Sequence, residues 1–364
     1  MIHIAQPLIG PEEEQAVLDT LRSGRLAQGP RVEAFEQAFA EYVEARHAIA
    51  VSSGTSALVV ALAAHGIGEG DEVLVPTFTY AATANAVLLV GARPVLVDIR
   101  DDDFSIGIAE ADAAVTEKTR AILPVHLFGH SCDLTKLRAL AERRGLAIIE
   151  DACQALGARW DGSKIGSSGT ACFSFYATKA ITTGEGGMIA TDNADVAGLA
   201  RKLRDQGEGE RYRTDILSAN HRMTEIAAAL GLAQLPKLDG WNERRRSNAA
   251  WLSEHLAGVV TPREQTAAYH VYQQYTIRVS EGRRDALRVQ LEENDIEAFV
   301  YYPRSLHQQP LYQELEIGGS FPIAEQAGAE VLSLPVHPSL NDADLEAIST
   351  AVNGVMTPAE ARRA

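Results

Sequence analysis

The stretch Gly145–Gly187 holds two short apolar runs, Leu146–Ile149 and Ala171–Phe175, each followed by a residue able to do chemistry: Asp151 after the first and Lys179 after the second. A carboxylate and a primary amine beyond neighbouring strands suit pyridoxal 5′-phosphate (PLP). Its aldehyde is carried on a lysine amine, and its ring nitrogen is kept protonated by a carboxylate, so that the ring can accept an electron pair. Taken singly, a strand-end Asp is a cap or turn residue and a Lys is solvated surface. The pair gains meaning from its surroundings. Upstream, Ser52-Ser53-Gly54-Thr55-Ser56 leads from a strand into a helix, where free N–H groups and the helix dipole attract an anion such as phosphate; Ser or Thr there also serves as an ordinary N-cap. Tyr80 offers a face that stacks on a planar ring or simply packs. Gln154 offers an amide for a ring oxygen or for its own helix, and Ser174 a hydroxyl for phosphate or backbone.

These residues need elements that bring them to one edge. The pattern predicts helices over Glu12–Ser23 and Arg31–Ala45, the second with Phe35, Phe39 and Tyr42 on one face, and a strand at His47–Val51. Next come EVLVP, a helix in TYAATANAVLLVG, PVLVDI at Pro94–Ile99, a strand in Arg120–Gly129, a helix over Leu134–Arg144, and the run that ends at Asp151. Short Val/Ile/Leu runs alternating with helices make a mostly parallel sheet covered on both faces. Ligands of such sheets sit beyond the carboxyl ends of the strands, where Asp151, Lys179 and Ser52–Ser56 all fall. After GMIATD and a helix from Ala194 to about Gln206, Gly207–Met223 has little periodicity and reads as an irregular excursion. A helix-rich stretch, Thr224–Leu256, is interrupted by Pro236 and Gly240. A boundary near Trp241 divides residues 1–240, with an N-terminal helical arm, from a smaller α+β part, 241–364. The latter carries a strand in Val271–Val279, a helix over Arg284–Glu293, a strand running into a loop at Ile296–Pro303, and a last helix from Asn341.

Composition excludes several classes. A formal net charge of -16 repels nucleic acid. The longest apolar run, Ala57–Ala64, is too short to cross a bilayer, and the start MIHIAQPLIGPEEE lacks the basic-then-apolar order of a secretory signal, so a cytoplasmic location is expected. Cys132, Cys153 and Cys172 form no CxxC pair and read as small buried hydrophobes, with no metal site expected.

Together the motifs SGTSAL, PTFTYAATANAV, PVHLFG, EDACQALGA, FSFYATK followed by TTGEGGM, NHRMTEIAAALGLAQL and YYPRSLHQQPLY resemble the DegT/StrS family of PLP-dependent sugar-nucleotide aminotransferases, over nearly the whole chain. The resemblance implies the fold of aspartate aminotransferase (fold type I), with a mostly parallel, seven-stranded sheet flanked by helices, and a homodimer with active sites at the subunit interface. It implies that Lys179 carries the cofactor and Asp151 pairs with its ring nitrogen. Tyr80 would stack on the ring, Gln154 would contact its phenolic oxygen, and Gly54, Thr55, Ser56 and Ser174 would hold the phosphate. Asn220, inside the irregular excursion, would reach the phosphate of the neighbouring subunit. Tyr301, Tyr302, Arg304 and His307 match the substrate-facing segment. The implied reaction takes an amino group from L-glutamate to a nucleotide-linked keto-sugar, with a lean to the 4-keto position because TTGEGGM and NHRMTE are similar to perosamine-type synthases. A 3-keto-sugar, a cyclitol ketone, or a non-catalytic regulator keeping the fold are the alternatives. Two positions depart from the family pattern: His221 where Tyr is commoner, and Phe128 where Tyr is commoner. Family dehydratases carry His where this chain has Lys179.

Overall fold

A computed structural model describes residues 1–356 of the chain. Its centre is a seven-stranded sheet. The strands are β1 (His47–Val51), β2 (Glu72–Pro76), β3 (Arg93–Val97), β4 (Thr119–Ile122), β5 (Ala147–Asp151), β6 (Thr170–Ser174) and β7 (Gly187–Thr191). They lie in the spatial order β1-β7-β6-β5-β4-β2-β3, all parallel except β7, which runs antiparallel to both its neighbours. Two antiparallel pairings restore the direction of β1, so its carboxyl end meets those of β5 and β6 at one edge.

Successive side chains of a strand point to opposite faces, and here they feed two apolar layers. Ile49, Val51, Val73, Val75, Cys172 and Ile189 enter one layer; Ala48, Ala50, Leu74, Phe173, Met188 and Ala190 enter the other. The first layer is covered by α3 (Gly54–Ala64), α4 (Ala81–Leu89) and α7 (Ala194–Arg204); the other face carries α2 (Pro30–Val43), α5 (Ile108–Ala114), α6 (Leu134–Arg144) and α8 (Glu225–Gln234), with α1 (Pro11–Ser23) packed on α8. The predicted Phe35/Phe39 face of α2 packs on β6 and the residue beyond it: Phe39 lies 5.1 Å from Phe173, and Phe35 5.2 Å from Phe175, ring centre to ring centre. All four rings are fully buried, each contributing about 1.5–3 kcal/mol. Their burial fixes the strand that leads to Lys179.

A third apolar cluster forms from α9 (Leu238–His255), the antiparallel pair Tyr275–Arg278 and Val331–Leu334, α10 (Arg284–Glu293) and α13 (Asp342–Met356). The helix over Leu134–Arg144 and that over Arg284–Glu293 stand where the sequence placed them. Several expectations are corrected. Pro236 does interrupt the helical stretch, with a 3₁₀ turn at Leu235–Lys237, but Gly240 lies inside α9. Its cost of about 1 kcal/mol relative to Ala is offset by neighbours such as the buried Leu238 and Asn242. Within α9, Trp241 packs with the second layer while Ala249 and Leu252 pack in the third cluster. Leu306, Tyr312 of α11 (Pro310–Glu314) and Phe321, just ahead of α12 (Pro322–Glu330), return to the first layer. The expected strand in Arg120–Gly129 ends at Ile122; a turn at Leu127–Gly129 follows, with Phe128 at φ 58° and Gly129 at φ 97°. A Cβ at Gly129 would stand 2.8 Å from the Gln273 nitrogen, so this turn requires glycine. The Val271–Val279 strand is confined to Tyr275–Arg278, and Ile296–Pro303 makes only isolated bridges. The excursion Gly207–Met223 contains a small ribbon, Glu208–Glu210 against Arg213–Thr214.

Candidate active site

Asp151 closes β5 and is 6% exposed. Its Oδ2 accepts from the Thr83 hydroxyl at 2.8 Å, and its Oδ1 accepts from the Cys153 N–H at 3.1 Å. Thr83 is itself in contact with Thr79, four residues earlier and just ahead of α4, at 3.1 Å between hydroxyls. Both threonines are buried. The carboxylate is therefore fixed from two sides, and with both oxygens already accepting it can take a further N–H on a remaining lone pair.

Lys179 follows β6 in a turn closed by its N–H to the Tyr176 carbonyl, at 2.9 Å. It is half-buried. Burial lowers the pKa of its amine below the ordinary lysine value, with Cys153 and Asp151 opposing that shift. Desolvation disfavours the charged form, so a larger share of this amine is neutral and nucleophilic than of a surface lysine. Cys153 also lies here, its thiol pushed well up by burial and so kept neutral.

The start of α3 is a small-residue cradle. Ser53 caps the helix, accepting from the Ser56 N–H at 3.0 Å. The Ser56 hydroxyl stands 3.0 Å from that of Ser52 and accepts from that of Ser53 at 3.1 Å. Gly54 is required by close approach: a Cβ there would lie 2.8 Å from both Cys153 Sγ and Ser174 Cβ. Ser174, expected from the sequence as a phosphate contact, is thereby brought against the helix start, and Asp151, Cys153 and Lys179 are grouped at the same edge. A phosphate at free helix N–H groups, a carboxylate at a strand end and a desolvated lysine amine form the donor set that PLP needs. The residues present fit that group.

The remaining expected residues fall as follows. Tyr80 is 62% exposed at the start of α4, its ring 6.1 Å from that of Tyr302 and inclined by 31°. Gln154 is held by both ends of its amide: Oε1 accepts from the Phe128 N–H at 2.8 Å, and Nε2 donates to the Tyr302 hydroxyl at 3.1 Å. Tyr302 thus comes from the C-terminal part into the neighbourhood of Asp151, Gln154 and Tyr80, and burial raises its phenol pKa. Tyr301 stacks on Phe299 at 5.9 Å. Arg304 is exposed. Both ring nitrogens of His307 are engaged, Nδ1 with the Thr77 hydroxyl at 3.0 Å and Nε2 with Glu325 at 3.1 Å. Asn220 is exposed, its side-chain oxygen accepting from the Arg222 N–H at 3.1 Å.

Sequence reasoning missed Thr83, Thr79 and His221. The i, i+4 spacing of the two threonines at a helix start was a readable signal. His221 stands out in the sequence only as a departure from the family pattern. Its Nδ1 lies 3.1 Å from the Ser56 hydroxyl.

Comparison with known proteins assigns the chain to a family. Residues 7–353 match the model of the DegT/DnrJ/EryC1/StrS aminotransferase family. The chain is 43% identical over 340 residues to a pleiotropic regulatory protein of Geobacillus stearothermophilus, covering 91% of each chain. It is 41% identical to the GDP-perosamine synthase of Caulobacter vibrioides, covering 98% of each. It is 41% identical to the UDP-N-acetyl-3-dehydro-alpha-D-glucosamine 3-aminotransferase of Acidithiobacillus ferrooxidans, covering 84% of this chain and 83% of the relative. Among solved structures, Streptomyces venezuelae DesV in complex with a ketimine intermediate superposes with a TM-score of 0.92, at 39% identity over 95% of each chain. With the fold, the Asp151–Lys179 pair and the cradle all in place, the chain belongs to the DegT/DnrJ/EryC1/StrS family and is a PLP-dependent aminotransferase.

Proposed function

We propose that the enzyme moves the amino group of L-glutamate to the C4 keto group of a nucleotide-linked sugar, working as a homodimer with sites shared between subunits. When bound, the cofactor supplies a conjugated ring that takes up an electron pair from the amino donor's α-carbon. The chain's own residues do the rest. Lys179 Nζ would hold the cofactor and, as a free amine, would carry the proton taken from that α-carbon. Asp151, anchored by Thr83 and the Cys153 N–H, keeps the ring nitrogen protonated. Gly54, Thr55, Ser56 and Ser174 would hold the phosphate, Tyr80 would stack on the ring, and Gln154 would contact its phenolic oxygen. Tyr301, Tyr302, Arg304 and His307 belong to the loop on the sugar side.

Transamination rests above all on the desolvated Lys179 amine beside Asp151 at the carboxyl edge of the sheet. The 4-keto position is supported by the similarity to a GDP-perosamine synthase over 98% of both chains, which agrees with the reading of TTGEGGM and NHRMTE. A 3-keto substrate is the second reading, favoured by the 3-aminotransferase relative. Shared sites are supported by the exposed Asn220 and by apolar surface at Ile9, Leu18, Leu21 and Leu26. The test is amino transfer from glutamate to matched 4-keto and 3-keto nucleotide sugars. Faster turnover of the 4-keto isomer is expected; faster turnover of the 3-keto isomer overturns the regiochemistry, and no transfer to either overturns the substrate class.

A further inference from the structure

Ser56 has one hydrogen to give and four claims on its oxygen. It accepts from Ser53, contacts Ser52, faces His221 Nδ1 at 3.1 Å, and stands at the helix start that receives the cofactor's phosphate. The imidazole therefore decides what Ser56 can do. If Nδ1 is bare, it accepts the Ser56 hydrogen and withdraws that hydrogen from an anion. If Nδ1 carries a proton, it donates to Ser56 Oγ, and the Ser56 hydrogen is free to point at phosphate; the imidazolium always carries that proton, a neutral ring only in one of its two tautomers. We infer that His221 is a positioning residue for the cofactor's phosphate, acting through Ser56 and coupling phosphate binding to a proton on the imidazole.

Its placement is fixed by backbone. Ser52 N–H donates to the His221 carbonyl at 2.8 Å, and His221 N–H donates to the Arg204 carbonyl at 2.9 Å. An isolated bridge joins Val51 and Arg222. The backbone of His221 is thereby held between the end of β1 and the end of α7, and its ring meets the start of α3 at Ser56. The charged side chains that flank it, at the end of α7 and next to it in the chain, are paired. Arg204 on α7 binds Glu36 of α2, and Arg222 binds Asp205. The α3 segment, GTSALVVALAA, carries no titratable side chain, and His47 lies at the opposite end of β1. No paired charge therefore substitutes for a phosphate as the partner of an imidazolium. Burial holds the pKa of His221 below the ordinary histidine value, so without phosphate the ring is neutral at neutral pH. A dianion beside Ser56 raises it. A group whose pKa is raised in the complex contributes affinity that is fully present below its free value and is lost as pH rises through its bound value.

This inference rests on the cofactor reading of the cradle, and the experiment separates the two. Pyridoxamine 5′-phosphate, which makes no covalent bond to Lys179, is titrated into the cofactor-free full-length protein across about pH 5 to 8. Wild type is compared with His221→Asn, whose amide donates to Ser56 at every pH, and with His221→Phe, which offers nothing. Because the ligand's own ionisation is common to all three, the ratio of dissociation constants isolates the histidine. The wild-type constant is expected to rise about tenfold relative to that of His221→Asn across the range as the imidazolium is lost. His221→Phe is expected to bind more weakly than His221→Asn throughout. Pyridoxamine without its phosphate should show no such difference. A pH-independent ratio overturns the role of His221. Equal ratios with pyridoxamine and its phosphate show that the ring acts on something other than the phosphate, which also overturns it. Absence of binding to all three proteins overturns the cofactor reading itself.

Discussion

At the scale of single residues, Asp151 depends on Thr83. A hydroxyl that donates to a buried carboxylate contributes about 1.5–3 kcal/mol, so Thr83→Val, which keeps the volume, is expected to lower kcat/KM about tenfold or more. A variant of undiminished activity in steady-state kinetics would show that the Cys153 N–H alone suffices. The amine of Lys179 gives a second expectation. Its pKa is lowered by burial, so in the cofactor-free protein it is neutral at pH values where a free lysine is charged. Reductive methylation followed by mass spectrometry across pH should label Lys179 with a midpoint below that of N-α-acetyl-lysine in the same tube. A coincident or higher midpoint contradicts the desolvated environment. The sequence exposed Asp151 and Lys179 because strand ends are where such chemistry is put. Thr83 and His221 stayed hidden because they meet their partners only through the fold, Thr83 68 positions from Asp151 and His221 165 positions from Ser56.

At the scale of elements, the site is a junction between the start of α3 and the ends of β5 and β6. Gly54 sets how closely they approach. Gly54→Ala places a methyl group 2.8 Å from Cys153 Sγ and Ser174 Cβ; such overpacking costs about 1–3 kcal/mol, and both a lower melting temperature and weaker cofactor retention are expected. Unchanged stability with full cofactor content would mean that the junction can open without loss. Elements of this kind were legible where hydrophobic runs were long or repeated, as in β2, β5 and the Phe35/Phe39 face of α2. Those missed were short. Ile108–Ala114, Pro310–Glu314 and Pro322–Glu330 are helices of seven, five and nine residues, too brief to establish a period. Gly240 misled because packing around α9 outweighs a modest intrinsic preference.

At the scale of the whole molecule, the proposed dimer makes a prediction that no single chain can satisfy. If Asn220 serves the neighbouring subunit's phosphate, Lys179→Ala and Asn220→Ala, each impaired alone, should complement on mixing. One site of a mixed dimer then carries both defects and the other neither, so a statistical mixture of two-fold dimers should recover about a quarter of wild-type activity. No recovery, although exchange of subunits is demonstrated, places Asn220 in its own chain's site. The parallel sheet was legible from alternating strands and helices, whereas the return of Leu306, Tyr312 and Phe321 to the first layer was not, because nothing local to that segment signals where it docks. The central claim, that Lys179 and Asp151 make this chain a transaminase, is tested most directly by the absorption spectrum of the PLP-loaded protein as L-glutamate is added without sugar. The account predicts that the visible band of bound PLP gives way to the near-ultraviolet band of pyridoxamine phosphate in wild type, and that Lys179→Ala retains bound cofactor without this conversion. A wild-type band that glutamate leaves unchanged, or a Lys179→Ala variant that converts as readily as wild type, would contradict it.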